Sequence, residues 1–196
     1  GMWCAVMSTV SKTNMNEIPA LIGLADALGV DVYAFGRYCP TAAEKAHDTD
    51  MHIPPAEYRE FLKRCWETYG RHRDSKTTFQ LKDHLWALFL YEKGLLKLPQ
   101  GDGVTDGCNC GRNHITILPN GDVYACRRME SKVGNVLREE LTAVWNGNGM
   151  NGYRQYDRFI KCSRCELKTV CRGCPAVSYG YTHDPYGADP QCWKEV

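Results

Sequence analysis

CSRCELKTVCRGC, residues 162–174, gathers Cys162, Cys165, Cys171 and Cys174 into thirteen residues, and Cys192 follows in DPQCW. Two CxxC hooks in tandem bring several thiolates together with almost no loop to close, the outline of a metal or iron–sulfur site. Gly173, inside the second hook, lets the backbone approach a bulky group closely. Working outward, Cys108 and Cys110 lie in GCNCGR and Cys126 ends LPNGDVYAC, so eight of the eleven cysteines fall after residue 107. Eight thiolates suit two four-thiolate centres.

The rest of the composition narrows the classes. With 24 Lys and Arg against 23 Asp and Glu, the formal charge is +1 and the basic residues are scattered among acids, so no nucleic-acid partner is expected. No signal peptide follows Met2, and runs such as LWALFLY fall well short of the roughly 20 apolar residues that span a bilayer. The expectation is a soluble, cytoplasmic chain with no membrane partner. In a reducing compartment, closely spaced cysteines bind metal or do redox chemistry more often than they form disulfides, and an odd cysteine total weakens an all-disulfide framework.

Upstream of the cysteines the pattern is α+β. WCAVMSTV, residues 3–10, is a nearly continuous apolar run of strand length, the pattern of a parallel strand buried on both faces. Asn16 is placed to cap a helix with the stripe Ile18, Leu21, Ile22, Ala25 and Leu28, carrying Pro19 in its first turn and stopped by Gly29. VDVYAF then supplies a second buried strand. Strand, helix and strand make one βαβ unit, which cannot cover both faces of its own sheet and so reads as the truncated end of a larger parallel architecture. Ligands of such sheets gather where strands end, here at Ser8, Thr9, Asn14 and Arg37. Arg37 is the candidate cofactor-binding residue, a clamp for a carboxylate or phosphate, with a solvated or ion-paired loop arginine as the plainer alternative.

After Pro54 and Pro55 the residues Tyr58, Phe61, Leu62, Cys65, Trp66 and Tyr69 recur at 3, 4, 3, 4 spacing and predict an amphipathic helix. Cys65 on that stripe and Cys4 in the first strand read as small core residues; Cys39 beside Pro40 is ambiguous. A further helix is expected over 82–93. Residues 97–107, rich in Gly, Asp and Pro, read as a linker between domains at 1–96 and 108–196. In the second domain HITIL and DVYAC flank PNG, a hairpin signal in which Asn120 and Gly121 suit positive φ. A short helix is expected to end near Trp145, and NGNGMNG reads as loop. Tyr179, Tyr181, His183, Asp184 and Tyr186 crowd the segment before Cys192, as packing or as a substrate surface.

The residues alone suit iron–sulfur clusters and zinc equally, since two Cys4 zinc centres would use the same eight thiolates. None of the histidines stands in a CxxH, HxxxH or HExxH arrangement; His114, near Cys110, is the one close to the candidate ligands.

Taken together, CNCG, the PNGDVYAC hairpin, VGNV, the AVW helix, CSRCELKTVCRGC and the terminal DPQC resemble the SPASM domain, the auxiliary-cluster module of radical SAM enzymes that modify peptides and proteins. That likeness covers residues 108–192. STV, the asparagine after it, LGV and GRYCP resemble the late strands of the partial (β/α) barrel that precedes SPASM in those enzymes. The resemblance implies two auxiliary [4Fe–4S] clusters, one on Cys108, Cys126 and Cys174 with Cys110 as fourth ligand or with an open iron, the other on Cys162, Cys165, Cys171 and Cys192. CRGC has two residues between its cysteines where the family usually has three. The eleven cysteines contain no CxxxCxxC. The SAM-cleaving cluster is therefore expected in a missing N-terminal half, with S-adenosylmethionine bound only by the full-length enzyme, a peptide or protein as substrate, and no catalysis by this chain alone. The competing reading is a zinc-stapled protein-interaction module.

Overall fold

A computed structural model describes residues 1–40 and 48–196. Strand β1 (Ala5–Val10) runs parallel to β2 (Val32–Arg37), with Ala5 opposite Val32 and Val10 opposite Arg37. Helix α1 (Ile18–Ala27) connects them, and helix α2 (Pro55–Arg71) leads to a short strand β3 (Thr78–Gln80) parallel to the other side of β2. Helix α3 (Leu85–Glu92) follows. The sheet order is β1-β2-β3, so β2 is central and its Tyr33, Ala34 and Phe35 are buried.

Three expectations about this region need correction. Strand β1 is not buried on both faces: Trp3, Val6 and Met7 are exposed, and so is Cys4, and among the described residues β1 stands at the edge of the sheet beside β2. Asn16 does not cap α1; Glu17 holds that position without a side-chain bond, and Asn16 accepts from Arg64 instead. Of the α1 stripe, Ile18, Ile22 and Ala25 are buried, whereas Leu21 and Leu28 face outward. The α2 stripe is buried at Tyr58, Phe61, Leu62, Cys65 and Tyr69 and half-buried at Trp66, and Phe35 meets Phe61 at 5.2 Å and Trp86 at 5.9 Å between ring centroids.

By its contacts the chain divides after Lys97 into two units, and Pro190–Glu195 groups with the first. Side chains explain that return. Gln191 is buried, accepting from Arg37 and donating to the Ile53 carbonyl, both at 3.2 Å, while Trp193 Nε1 donates to Glu92 at 3.0 Å. The second unit takes in the described residues Cys39 and Pro40 along with Leu98–Asp189. The glycine-rich stretch at 97–107 is not free linker throughout. Thr105 and Asp106 N–H donate to the Thr169 carbonyl at 2.8 and 3.2 Å, which fastens its end to the cysteine-bearing segment.

The second unit contains an antiparallel sheet of β4 (Thr116–Ile117), β5 (Asp122–Tyr124) and β6 (Lys132–Asn135), the last of which the sequence did not announce. At the hairpin, Gly121 takes φ +81°, but Asn120 does not adopt positive φ. Asn120 contributes through its side chain, whose Oδ1 accepts the Asp122 N–H at 3.1 Å. An alanine at 121 would hold that backbone at a cost of about 1–2 kcal/mol, and its Cβ would stand 2.6 Å from the Leu137 side chain. Gly121→Ala is accordingly expected to lower the denaturation midpoint of this unit.

Helices α4 (Leu141–Asn146), α5 (Asn148–Gly152) and α6 (Pro175–Thr182) complete the unit. The NGNGMNG stretch is helical, contrary to its loop-like composition, and the buried Met150 side chain anchors it. Helix α6 starts directly after Cys174 with Pro175 in its first turn and ends at His183 in the left-handed region. The segments between α5 and α6 are short 3-10 turns, including Cys162–Arg164 and Glu166–Thr169. The architecture is mixed α/β with two small sheets. No helix among the described residues is long and apolar enough to cross a membrane.

Candidate functional site

Four of the predicted ligands share one apolar nest in the second unit. Cys110 and Cys174 are buried in a cluster with Ala125, Met129, Met150, Ala176 and Val177, and Cys108 and Cys126 pack against it. Each thiol is delivered by a different local device. Cys126 lies two residues past the end of β5, and Ser131 Oγ accepts its N–H at 3.0 Å. Cys174 stands at the N-cap of α6, its N–H donating to Asp189 Oδ2 at 3.2 Å. Cys108 is held by Arg172, whose guanidinium donates to the Asp106 and Cys108 carbonyls, both at 2.7 Å. Cys110 N–H donates to Cys108 Sγ at 3.4 Å, the kind of backbone support that steadies a charged sulfur.

The electrostatics of this nest call for a cation. Burial, then the neighbouring Cys174, pushes the Cys108 thiol up to about 12, Cys126 adding to it and Arg172 opposing. Burial, then Cys108, Cys126 and Cys174, push Cys110 up as well. The Cys108 and Cys110 thiols, crowded into apolar surroundings, resist ionising, and a group carrying several positive charges would remove that resistance by taking the protons' place. Two cations stand close by. Arg172 is one, and Arg128 Nη1 lies 3.8 Å from Cys174 Sγ. The donor set, all sulfur and sheltered from water, fits an iron–sulfur cluster. No disulfide joins the cysteines among the described residues. Among the described residues, no three His, Cys, Asp or Glu side chains converge on one ion-sized point.

The second predicted set begins among short 3-10 turns. Cys162, Cys165 and Cys171 follow one another through 3-10 turns. Cys165 N–H donates to the Cys162 carbonyl at 3.2 Å, and Cys171 N–H to the Leu167 carbonyl at 2.7 Å. Gly173 takes φ +63°, and a Cβ there would lie 3.6 Å from Cys162 Sγ and 3.2 Å from Asp189 Cβ, so the close approach predicted for this glycine is made by backbone. Cys192 is half-buried in the strip that groups with the first unit.

The remaining candidates fall as follows. Arg37 is 1% exposed, its Nε on Asp83 at 2.9 Å, its Nη1 on Gln191 and its guanidinium over the Tyr58 ring at 5.3 Å. Asn14 closes a local turn, accepting from Ser11 N–H and donating to the Thr9 carbonyl, both at 2.9 Å, and Ser8 Oγ lies 3.0 Å from Tyr33 Oη. His114 Nε2 is 3.1 Å from Thr116 Oγ1. Sequence reasoning missed two contributors: Arg172, visible inside CRGC but without its carbonyl partners, and Cys39, which packs against the nest.

The nest places four cysteine sulfurs in or against one apolar cluster. Residues 108–175 match the SPASM family, described as an iron–sulfur cluster-binding domain. Over most of its length the chain is similar to AdoMet-dependent heme synthases. One, from Methanosarcina barkeri, is 28% identical over 95% of this chain and 55% of its own; another, from Nitratidesulfovibrio vulgaris, is 26% identical over 98% and 54%. The chain thus spans about half the length of these curated relatives. Among solved structures its fold is similar to Streptococcus suis SuiB, with a TM-score of 0.67 at 19% identity over 97% of this chain and 46% of that one. It is similar also to anSMEcpe with bound AdoMet, with a TM-score of 0.65 at 15% identity over 96% and 49%.

Proposed function

We propose that this chain is the auxiliary-cluster part of a radical SAM enzyme, related to the late part of its partial (β/α) barrel and holding two [4Fe–4S] clusters. The observation that carries the reading is the nest of Cys108, Cys110, Cys126 and Cys174 inside the SPASM stretch. Cys162, Cys165 and Cys171 serve the second cluster, and Cys192 joins them on the sequence resemblance alone. Such clusters supply electron relay or a substrate ligand when bound. The protein's own contribution is burial, the Cys110 N–H on sulfur and the nearby Arg172 and Arg128 charges, which together set the potential.

In this reading the residues that bind and cleave S-adenosylmethionine lie outside these 196 residues, and the chain is not catalytic alone. The exposed apolar side chains along β1 support a further strand or helix against that edge. The substrate is a peptide or protein, in keeping with the family resemblance. The similarity to heme synthases favours a second reading, an iron porphyrin or its precursor. A saturable shift of the Soret band when hemin is titrated into the reconstituted chain would favour that reading.

Anaerobic purification and reconstitution, followed by iron, sulfide and zinc analysis, tests the metal assignment. About eight irons and eight sulfides per chain with a broad charge-transfer absorption are expected. About two zincs, with no uptake of iron, would replace the proposal with a zinc-stapled interaction module.

A further inference from the structure

Cys39 is the one cysteine outside the eight clustered after residue 107 that groups with the second unit. It packs against the same apolar cluster that encloses Cys110 and Cys174. Its sulfur lies 2.7 Å from the Ala176 carbonyl oxygen and 3.6 Å from that of Arg128. Ala176 is two residues past Cys174, and Arg128 two past Cys126, so Cys39 touches both segments that present those ligands. Pro40 beside it is pressed against α6: a Cβ on Gly180 would stand 2.6 Å from the Pro40 carbonyl oxygen. Cys39 is therefore fixed at the wall of the nest although it is distant in sequence.

We infer that Cys39 is a fifth, ligand-competent thiol of the first centre, able to take the coordination position that Cys110 leaves. The inference rests on the reading that Cys108, Cys126 and Cys174 hold an iron–sulfur cluster. Between two carbonyl oxygens a sulfur is favourable as a thiol, which donates, and unfavourable as a thiolate, which is repelled. In its present rotamer the Cys39 thiol is turned toward the Ala176 carbonyl. Ligation requires rotation about χ1 away from the carbonyls, with the thiol proton released to solvent as iron takes its place. Cys108 and Cys110 stand two residues apart, and the Cys110 N–H already serves the Cys108 sulfur. Cys110 thus contributes to the site through its backbone even when its thiol is absent, and a ligand from another segment can complete the set.

The test compares the wild-type chain with Cys39→Ala, Cys110→Ala and the double variant, each reconstituted anaerobically. The readouts are iron content and electron paramagnetic resonance after mild oxidation. Cys110→Ala is expected to keep wild-type iron without a three-iron signal, and the double variant to lose about one iron per chain and show that signal. In parallel, alkylation and mass spectrometry should find Cys39 modified in the wild type and protected in reconstituted Cys110→Ala, a readout that does not depend on how well the double variant folds. A three-iron signal in Cys110→Ala alone, a double variant matching Cys110→Ala, or equal labelling of Cys39 in both proteins overturns the inference. Unchanged iron in Cys126→Ala would instead overturn the cluster reading beneath it.

Discussion

Asp83→Ala is expected to cost the first unit about 3–5 kcal/mol, the usual penalty for leaving a buried charge without its partner. Arg37 Nε bonds Asp83 at 2.9 Å, with the two side chains 0% and 6% exposed. Gln191 and the Tyr58 ring also contact Arg37, as a neutral oxygen and a π face. The comparison is Arg59 with Glu92, also at 3.0 Å or less but 52% and 32% exposed, where Arg59→Ala should cost under about 1 kcal/mol. Urea denaturation followed by far-UV circular dichroism separates these outcomes. Similar midpoints for the two variants would contradict the role assigned to burial.

The same pair fixes a pH dependence. Burial acts to raise the Asp83 carboxyl, but the charge of Arg37, then that of His84, and the hydrogen bonds from Arg37 and the Leu85 N–H outweigh it and hold the group below its ordinary value. A depressed carboxylate contributes stability that is complete above the unfolded value of about 3.9 and is lost as pH falls through the folded value. Acid below about pH 4 should therefore erode the difference between wild type and Asp83→Ala.

What the sequence could reveal followed from how local the cause was. The α2 stripe was legible because 3 and 4 spacing places its residues on one face whatever packs there, and Cys65 fell into the core with it. Burial of β1 was not legible, because an apolar run says nothing of how many strands flank it; among the described residues there is one. Met150 was hidden by the glycines and asparagines around it, although one buried side chain was enough to anchor α5. At the site, the order of the cysteines announced the chemistry, but the assembly depends on distant pairings. Arg172 reaches back to Cys108, and Cys39 meets Ala176 across 137 positions. Arg37 was recognised as special and its partners, Asp83 and Gln191, were not, since neither lies near it in sequence.

Cys165→Ala should remove one metal centre and loosen the segment around it. From Cys162 to Gly173 the chain makes only 3-10 turns and carries little apolar anchorage beyond Leu167, Val170 and the buried Cys171. Such a stretch does not bury enough surface to fix its own backbone, whereas a ligated cluster supplies folding free energy directly. Iron is expected to fall from about eight to about four per chain. Hydrogen exchange at residues 160–173 should accelerate by about a hundredfold or more, since a loss near 3 kcal/mol of local stability corresponds to that factor. The effect should spread to Thr105 and Asp106, whose N–H groups rest on the Thr169 carbonyl. The hairpin of β4 and β5, held by its own ladder and by Val123, should keep its protection. If iron content and exchange both match the wild type, Cys165 is not a ligand, and this segment is held by packing that its few apolar residues do not account for.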